Sequence, residues 1–303
     1  MRFPDEFSPR CQLLEVRKAV ILAAGYGTRL LPATKSQPKE MLPLVDRPII
    51  QYSVEEAVAA GIEQIIIVTS IGKRAVEDYF DRSRDIEDLL EKKGDYERLE
   101  EVRRISELAD FAYVRQGEPR GLGDAVMTAK HLVGNDPFLL ILPDDVILGS
   151  PPVAQQLIDA YHKYHASVIA VEEVPWEETS SYGIVAGEAI DARITKLHKL
   201  VEKPRPEDAP SRLAIVGRYL LTPSIFEAIE RTAPGYGGEI QITDALQILA
   251  DEEGMYALRF EGVRYDTGRP LSLLQASISV ALTRPDIAPE LRAFIRGLDM
   301  DEN

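Results

Sequence analysis

The sequence holds a single cysteine, Cys11, so it supports neither an internal disulfide framework nor a cysteine zinc site. Histidine is scarce as well. His131, His162, His165 and His198 are too few for a His-rich metal centre, and the pair at 162 and 165 reads as a solvated helix face. The longest apolar runs, such as residues 19–24 and 138–142, fall far short of the ~20 residues a membrane span needs. The first sixteen residues carry Asp5, Glu6 and Glu15 and lack the apolar centre of a signal peptide, which predicts a cytoplasmic protein. Positive charge is the last shortage: 35 basic residues against 50 acidic give a net charge of −15. Phosphate backbones and anionic lipid select basic faces, so nucleic acid and membranes are disfavoured as partners. A small polyanion remains admissible where basic residues concentrate.

What is present is ordinary for a globular chain: 303 residues, 45% hydrophobic and 28% charged. A chain of this length can bury roughly three quarters of the surface it exposes unfolded, which excludes disorder as the main state. The expectation is one large α/β domain, or a core with an appendage. Buried strands are predicted at residues 18–24, 64–69, 111–115, 137–143, 167–172, 213–220 and 255–260. Helical patterns lie between them at 48–60, 73–79, 123–132, 152–162, 224–231 and 242–253. Strands alternating with helices argue for a largely parallel sheet covered on both faces. Residues 187–203 alternate in polarity and read as inserted antiparallel strands, and 287–298 as an amphipathic helix. Residues 81–110, with eleven acidic and seven basic side chains, read as exposed helices or a partner surface.

The strongest chemical signal is Leu22-Ala-Ala-Gly-Tyr-Gly-Thr-Arg-Leu30, followed by Pro38-Lys-Glu-Met-Leu-Pro43. Gly25 and Gly27 directly after a strand permit a tight turn whose N–H groups converge on phosphate oxygens. Arg29 and Lys39 bring charge to the same cradle. Residues 16–50 hold six basic and two acidic side chains, a local +4 inside an acidic chain, which suits a polyphosphate. Two familiar glycine loops do not fit. The dinucleotide fingerprint needs a third glycine where Leu30 stands, and the triphosphatase loop needs Gly-Lys-Ser/Thr where Gly27 is followed by Thr28 and Arg29.

The second signal is Leu142-Pro-Asp-Asp-Val146, paired carboxylates at the end of an apolar strand; the third is Arg264-Tyr-Asp-Thr-Gly268. Each alone is more often a turn or helix cap. Beside a phosphate loop they suggest a site of one or two carboxylates for a hard cation such as Mg²⁺, which keeps several waters and is completed by substrate phosphates.

In this order the pieces resemble the sugar-1-phosphate nucleotidyltransferases, in particular their uridylyl type, from about Arg17 to the C-terminal helix. Val114-Arg-Gln-Gly117, Gly121-Leu-Gly123, Tyr182-Gly-Ile-Val185, Val201-Glu-Lys-Pro204, Ala214-Ile-Val-Gly-Arg-Tyr219 and Gly238-Glu-Ile-Gln-Ile-Thr-Asp-Ala245 carry the rest of the likeness. The resemblance implies a three-layer α/β/α Rossmann-like fold with a mixed, mostly parallel central sheet and a small inserted antiparallel sheet. It implies an N-terminal extension over 1–16, a catalytic domain over 17–283 and a C-terminal helix and tail over 284–303. It also implies transfer from UTP to glucose 1-phosphate with Mg²⁺, giving UDP-glucose and pyrophosphate, by a homodimer or homotetramer.

Carried over to this chain, the family's roles put Ala23, Ala24 and Gly25 along the nucleotide and Gly27, Thr28 and Arg29 on the triphosphate. Lys39 also reaches the phosphates, and Gln116 and Gly121 read the uracil edge. Asp144 and Asp266 hold Mg²⁺. Gly183, Glu202 and Gly217 hold the sugar, and Lys203 contacts its phosphate. Arg29, Lys39 and Lys203 are the implied catalytic cations. One stretch departs from the pattern: after Asp266 the chain reads Thr-Gly-Arg-Pro, where the uridylyl type more often has a lysine and an aromatic. That keeps a different sugar phosphate, or dTTP, as an alternative, beside a non-catalytic sugar-nucleotide sensor. Asp145 is open between a partner of the site, a helix cap and an alternate ligand.

Overall fold

The computed structural model describes residues 15–298; the first fourteen residues, most of the predicted N-terminal extension, and the last five lie outside the described residues. The strands in chain order are β1 (Lys18–Leu22), β2 (Pro43–Leu44), β3 (Arg47–Pro48), β4 (Gln64–Thr69), β5 (Asp110–Arg115), β6 (Phe138–Ile141) and β7 (Asp145–Leu148). They continue with β8 (Val168–Glu173), β9 (Gly183–Ala189), β10 (Ile194–Glu202), β11 (Leu213–Leu221), β12 (Tyr256–Arg259) and β13 (Val263–Asp266). The helices are α1 (Ile49–Ala59), α2 (Arg74–Phe80), α3 (Arg84–Lys93), α4 (Tyr96–Ser106), α5 (Leu122–Thr128) and α6 (Lys130–Val133). After them come α7 (Val153–Tyr164), α8 (Ser224–Arg231), α9 (Ile242–Glu252), α10 (Pro270–Thr283) and α11 (Ala288–Gly297).

Nine strands form one sheet in the order β5-β4-β1-β6-β11-β8-β12-β10-β9. It is parallel through β5-β4-β1-β6 and at β8-β12, and antiparallel around β11 and through β10 and β9. β9 curls back to pair with the start of β11 as well. Apolar side chains pack on both faces: α5, α6, α8 and α9 cover one and α1, α2 and α7 the other, giving three layers. Strands buried on both sides read as unbroken apolar runs, which is why residues 64–69 and 138–141 were legible. In α9 the buried positions 242, 245, 246, 249 and 250 follow the helical period and face the sheet.

The acidic segment forms two exposed helices, α3 and α4, as the sequence predicts. Gly94 in the left-handed region ends α3, and Asp95 caps α4 by accepting from the Arg98 N–H. The inserted hairpin begins earlier than the alternation suggested, because β9 starts at Gly183, directly opposite Glu202 of β10. Among the described residues no helix is long and apolar enough to cross a membrane.

After β1 the chain lays β4 and β5 on one side and then returns to lay β6 on the other. A crevice therefore opens beyond the carboxyl end of β1, the point where open α/β sheets bind their ligands.

Candidate active site

A cleft of about 1200 Å³ occupies that crevice and runs along the sheet edge to β9, β10 and β11. At its centre the chain leaves β1 through Gly25 and Gly27. Gly27 has φ +65°, and its carbonyl accepts from Thr34 Oγ1 at 2.8 Å. A Cβ on Gly27 would come within 3.0 Å of Lys39 Cβ, so the glycine lets the Lys39 stem lie against the loop. The next residue, Glu40, is buried and accepts from Lys73 Nζ at 2.9 and 2.8 Å, which ties the Lys39–Met41 turn to the start of α2.

Lys39 Nζ lies 2.7 Å from Asp144 Oδ2. Burial would lower the Lys39 ammonium, but the Asp144 and Glu40 carboxylates together override it and hold lysine above its ordinary range. Burial would likewise raise Asp144, and Lys39 overrides that to hold the carboxyl below its usual value. The two groups thus keep each other ionised at the sheet edge.

Asp266 reaches the same place through a short antiparallel pairing that the sequence did not reveal. β13 runs against β7 with Asp266 opposite Asp145. Thr267 then donates from N and Oγ1 to the Asp144 carbonyl, at 2.9 and 2.8 Å. A Cβ on Gly268 would sit 3.0 Å from Asp266 Oδ1 and 4.0 Å from Asp144 Oδ2. The Asp266 and Asp144 carboxylates thus approach each other beside Gly268, at the mouth of the cleft. Hard oxygens so paired suit Mg²⁺ completed by water and phosphate oxygens.

Asp145 begins a strand, which removes the helix-cap reading, and Arg264 Nε donates to its Oδ1 at 2.6 Å. Burial pushes this carboxyl up, a shift that Arg264 only partly relieves. Arg264 also donates to Glu172 at 2.7 Å and lies 5.1 Å from the Tyr182 ring centroid.

At the far end, Glu202 Oε2 accepts from Thr243 Oγ1 at 2.6 Å, and its Oε1 lies 3.2 Å from Lys203 Nζ. Lys203 has φ +45°, an uncommon backbone for a residue with a Cβ, and its ammonium stands 5.2 Å over the Tyr236 ring. A Cβ on Gly183 would come within 3.3 Å of Glu202 Oε2, and one on Gly217 within 2.7 Å of Leu142 Cβ. At the other end Gly121 has φ +114°, and a Cβ there would meet the Ile240 carbonyl at 2.6 Å.

Ala24, Gly25, Arg29, Lys39, Gln116, Gly121, Asp144, Gly183, Glu202, Lys203, Gly217 and Asp266 all line this one cleft. Ala23, Gly27 and Thr28 do not. Ala23 is fully buried, its N–H bonded to the Val68 carbonyl at 2.7 Å; Gly27 acts through packing, and Thr28 starts an exposed 3-10 turn. Sequence reasoning assigned no role to Arg218, Arg264 or Thr243, although each stands inside a motif already singled out. None of the four histidines lines the cleft.

Residues 18–282 match the family described as Nucleotidyl transferase. A protein of Staphylococcus epidermidis named UTP--glucose-1-phosphate uridylyltransferase is 48% identical over 286 residues, which is 94% of this chain and 99% of that protein. A solved UDP-glucose pyrophosphorylase complexed with UDP-glucose superimposes with a TM-score of 0.82 at 46% identity, covering 89% of this chain and all of that one. A UTP-bound UGPase from Acinetobacter baumannii gives a TM-score of 0.87 at 41% identity, covering 94% of this chain and 100% of that one.

Proposed function

The chain belongs to the nucleotidyl transferase family, and we infer that it is an enzyme making UDP-glucose and pyrophosphate from UTP and glucose 1-phosphate. The observation that carries this reading is the convergence of Arg29, Lys39 and Lys203 with Asp144 and Asp266 on one cleft. In an acidic chain such clustered cations suit two phosphorylated substrates.

A phosphate oxygen of the sugar phosphate attacks the α-phosphorus of UTP. The new phosphorus–oxygen bond forms as the bond from the α-phosphorus to the β-phosphate's bridging oxygen breaks, and its electrons leave with pyrophosphate on the opposite side. The attacking oxygen is already ionised, so no general base is required, in keeping with a cleft that no histidine lines. The barrier lies in charge repulsion and alignment. Arg29 and Lys39 face the triphosphate and Lys203 the sugar phosphate; each cation contributes on the order of several kcal/mol to the transition state. Holding the attacking oxygen in line contributes about 7–11 kcal/mol more. Asp144 and Asp266 would hold Mg²⁺, which when bound neutralises charge developing on the phosphoryl oxygens.

Glu202 accepts from adjacent sugar hydroxyls while Thr243 fixes its carboxylate. Gly183 and Gly217 leave room for the ring, and Gln116 and Gly121 read the uracil. A homodimer or homotetramer working in the cytoplasm completes the proposal.

The test is pyrophosphate release with Mg²⁺, crossing UTP, dTTP, GTP, CTP and ATP with the 1-phosphates of glucose, galactose, mannose and N-acetylglucosamine. Preference for UTP with glucose 1-phosphate is expected, which makes Gly268-Arg-Pro270 a tolerated variation. Preference for another pair would move the sugar or base assignment and leave the mechanism. Silence from folded protein that still binds UTP would make it a sensor.

A further inference from the structure

Gln116 follows the end of β5 and lines the cleft with its side chain almost buried. Its Nε2 donates to Asp124 Oδ2 at 2.8 Å, from the first turn of α5. Arg120 Nη2 lies on the other carboxylate oxygen, Oδ1, at 2.9 Å. An ionised carboxylate only accepts hydrogen bonds, so the Gln116 amide must turn its nitrogen toward Asp124. Its carbonyl oxygen, Oε1, has no partner among the described residues, and neither does the Gly121 N–H.

We propose that Asp124 is a positioning residue that sets base selectivity, by locking Gln116 with its carbonyl oxygen toward the base. This rests on the reading that uracil lies against Gln116 and Gly121. Uracil offers an N3–H donor beside the O4 acceptor, which match the Gln116 oxygen and the Gly121 N–H. Cytosine reverses both, with an N3 acceptor beside an amino donor, and meets like against like. Thymine carries the same N3–O4 edge as uracil, so this lock does not act between those two bases.

Asp124→Asn is nearly isosteric and makes a sharp test. Arg120 is donor-only and retains the remaining oxygen, which turns the new amide nitrogen toward Gln116. Gln116 then flips to present its own NH₂ to the base. The expected result is a fall of about ten- to a hundredfold in the UTP:CTP ratio of kcat/KM, with the UTP:dTTP ratio unchanged. Asp124→Ser, too short to hold the amide, is the second variant and should give a smaller fall in the same ratio. Thermal unfolding of each variant checks that the fold is intact.

If both ratios collapse together, the cleft has merely loosened and the proposal is overturned. Gln116→Leu separates the two levels of the argument. Should it lower UTP:CTP while both Asp124 variants match the unmodified protein, uracil is read by Gln116 and Asp124 does not set it. Should Gln116→Leu leave base choice intact, the base-site reading fails and the proposal fails with it.

Discussion

Arg218 Nη2 lies 2.9 Å from Glu56 Oε2 with both side chains buried, joining β11 to α1 across the protein interior. Nε donates to the same carboxylate, and the other guanidinium donors go to the carbonyls of Leu142, Gly217 and Asp145, at 2.9, 3.1 and 2.7 Å. The Leu142 and Asp145 carbonyls bracket Asp144. Glu56 Oε1 also accepts from the Ala154 N–H at 3.1 Å, so one ion pair fixes the start of α7 and the loop carrying the cleft's carboxylate.

Breaking this pair strands a charge in the interior. Arg218→Met should cost about 3–5 kcal/mol in urea unfolding, because Glu56 loses its counter-charge and three carbonyls each lose one donor. The double variant Arg218→Met with Glu56→Leu should cost clearly less than the two single losses added together. Strict additivity would mean the two side chains are not energetically coupled.

Asp144→Asn and Asp266→Asn should each lower turnover by at least about a hundredfold while the fold survives. The Mg²⁺ concentration for half activity should rise, since each substitution removes one anionic oxygen from the proposed metal site. The check is a Mg²⁺ titration beside circular dichroism. Two variants with full activity and an unshifted titration would refute the metal assignment.

Lys203→Ala should raise KM for glucose 1-phosphate by about tenfold or more, the worth of a charge-assisted hydrogen bond, with little change in UTP affinity. Because Lys203 sits at φ +45°, Lys203→Gly provides the comparison free of backbone strain. Equal losses for both substrates would count against contact with the sugar phosphate.

Outside the cleft, Glu87 accepts from Arg82 and Arg103 at the base of the exposed helices. The Arg82 hydrogen bond, supported by Arg103, holds its carboxyl at about 2, against an ordinary 4.5. The unfolded chain therefore takes up a proton near the higher value while the folded chain does not. The stabilisation is whole above that value and is lost as pH falls toward the lower one. Melting curves of the protein and of Glu87→Gln should accordingly differ near neutral pH and converge as the pH is lowered; a constant gap would show that the ion pairs carry none of the acid sensitivity.

Local signals made much of the fold readable. Strands β1, β4 and β6 announce themselves because burial on both faces demands unbroken apolar runs. Strands β7 and β13 did not, since each carries charge that breaks any apolar run and is too short to show alternation. Their pairing is nevertheless what brings Asp266 beside Asp144, across more than a hundred residues. Arg218 was hidden for the opposite reason: a charge within an apolar strand looks exposed until its partner is known, and Glu56 lies 162 positions away.

The sequence by itself determined the layered α/β plan and the glycine loop after β1, because residue type and short-range spacing dictate these, while family resemblance pointed to twelve of the residues that line the cleft. Only the tertiary structure decided which of those groups meet. Lys39 neutralises Asp144, Arg264 claims Asp145, and Asp124 turns Gln116. Hydrogen bonds and ion pairs act over about 3 Å, and whether two side chains come that close is set by strand order and register, which no local pattern encodes.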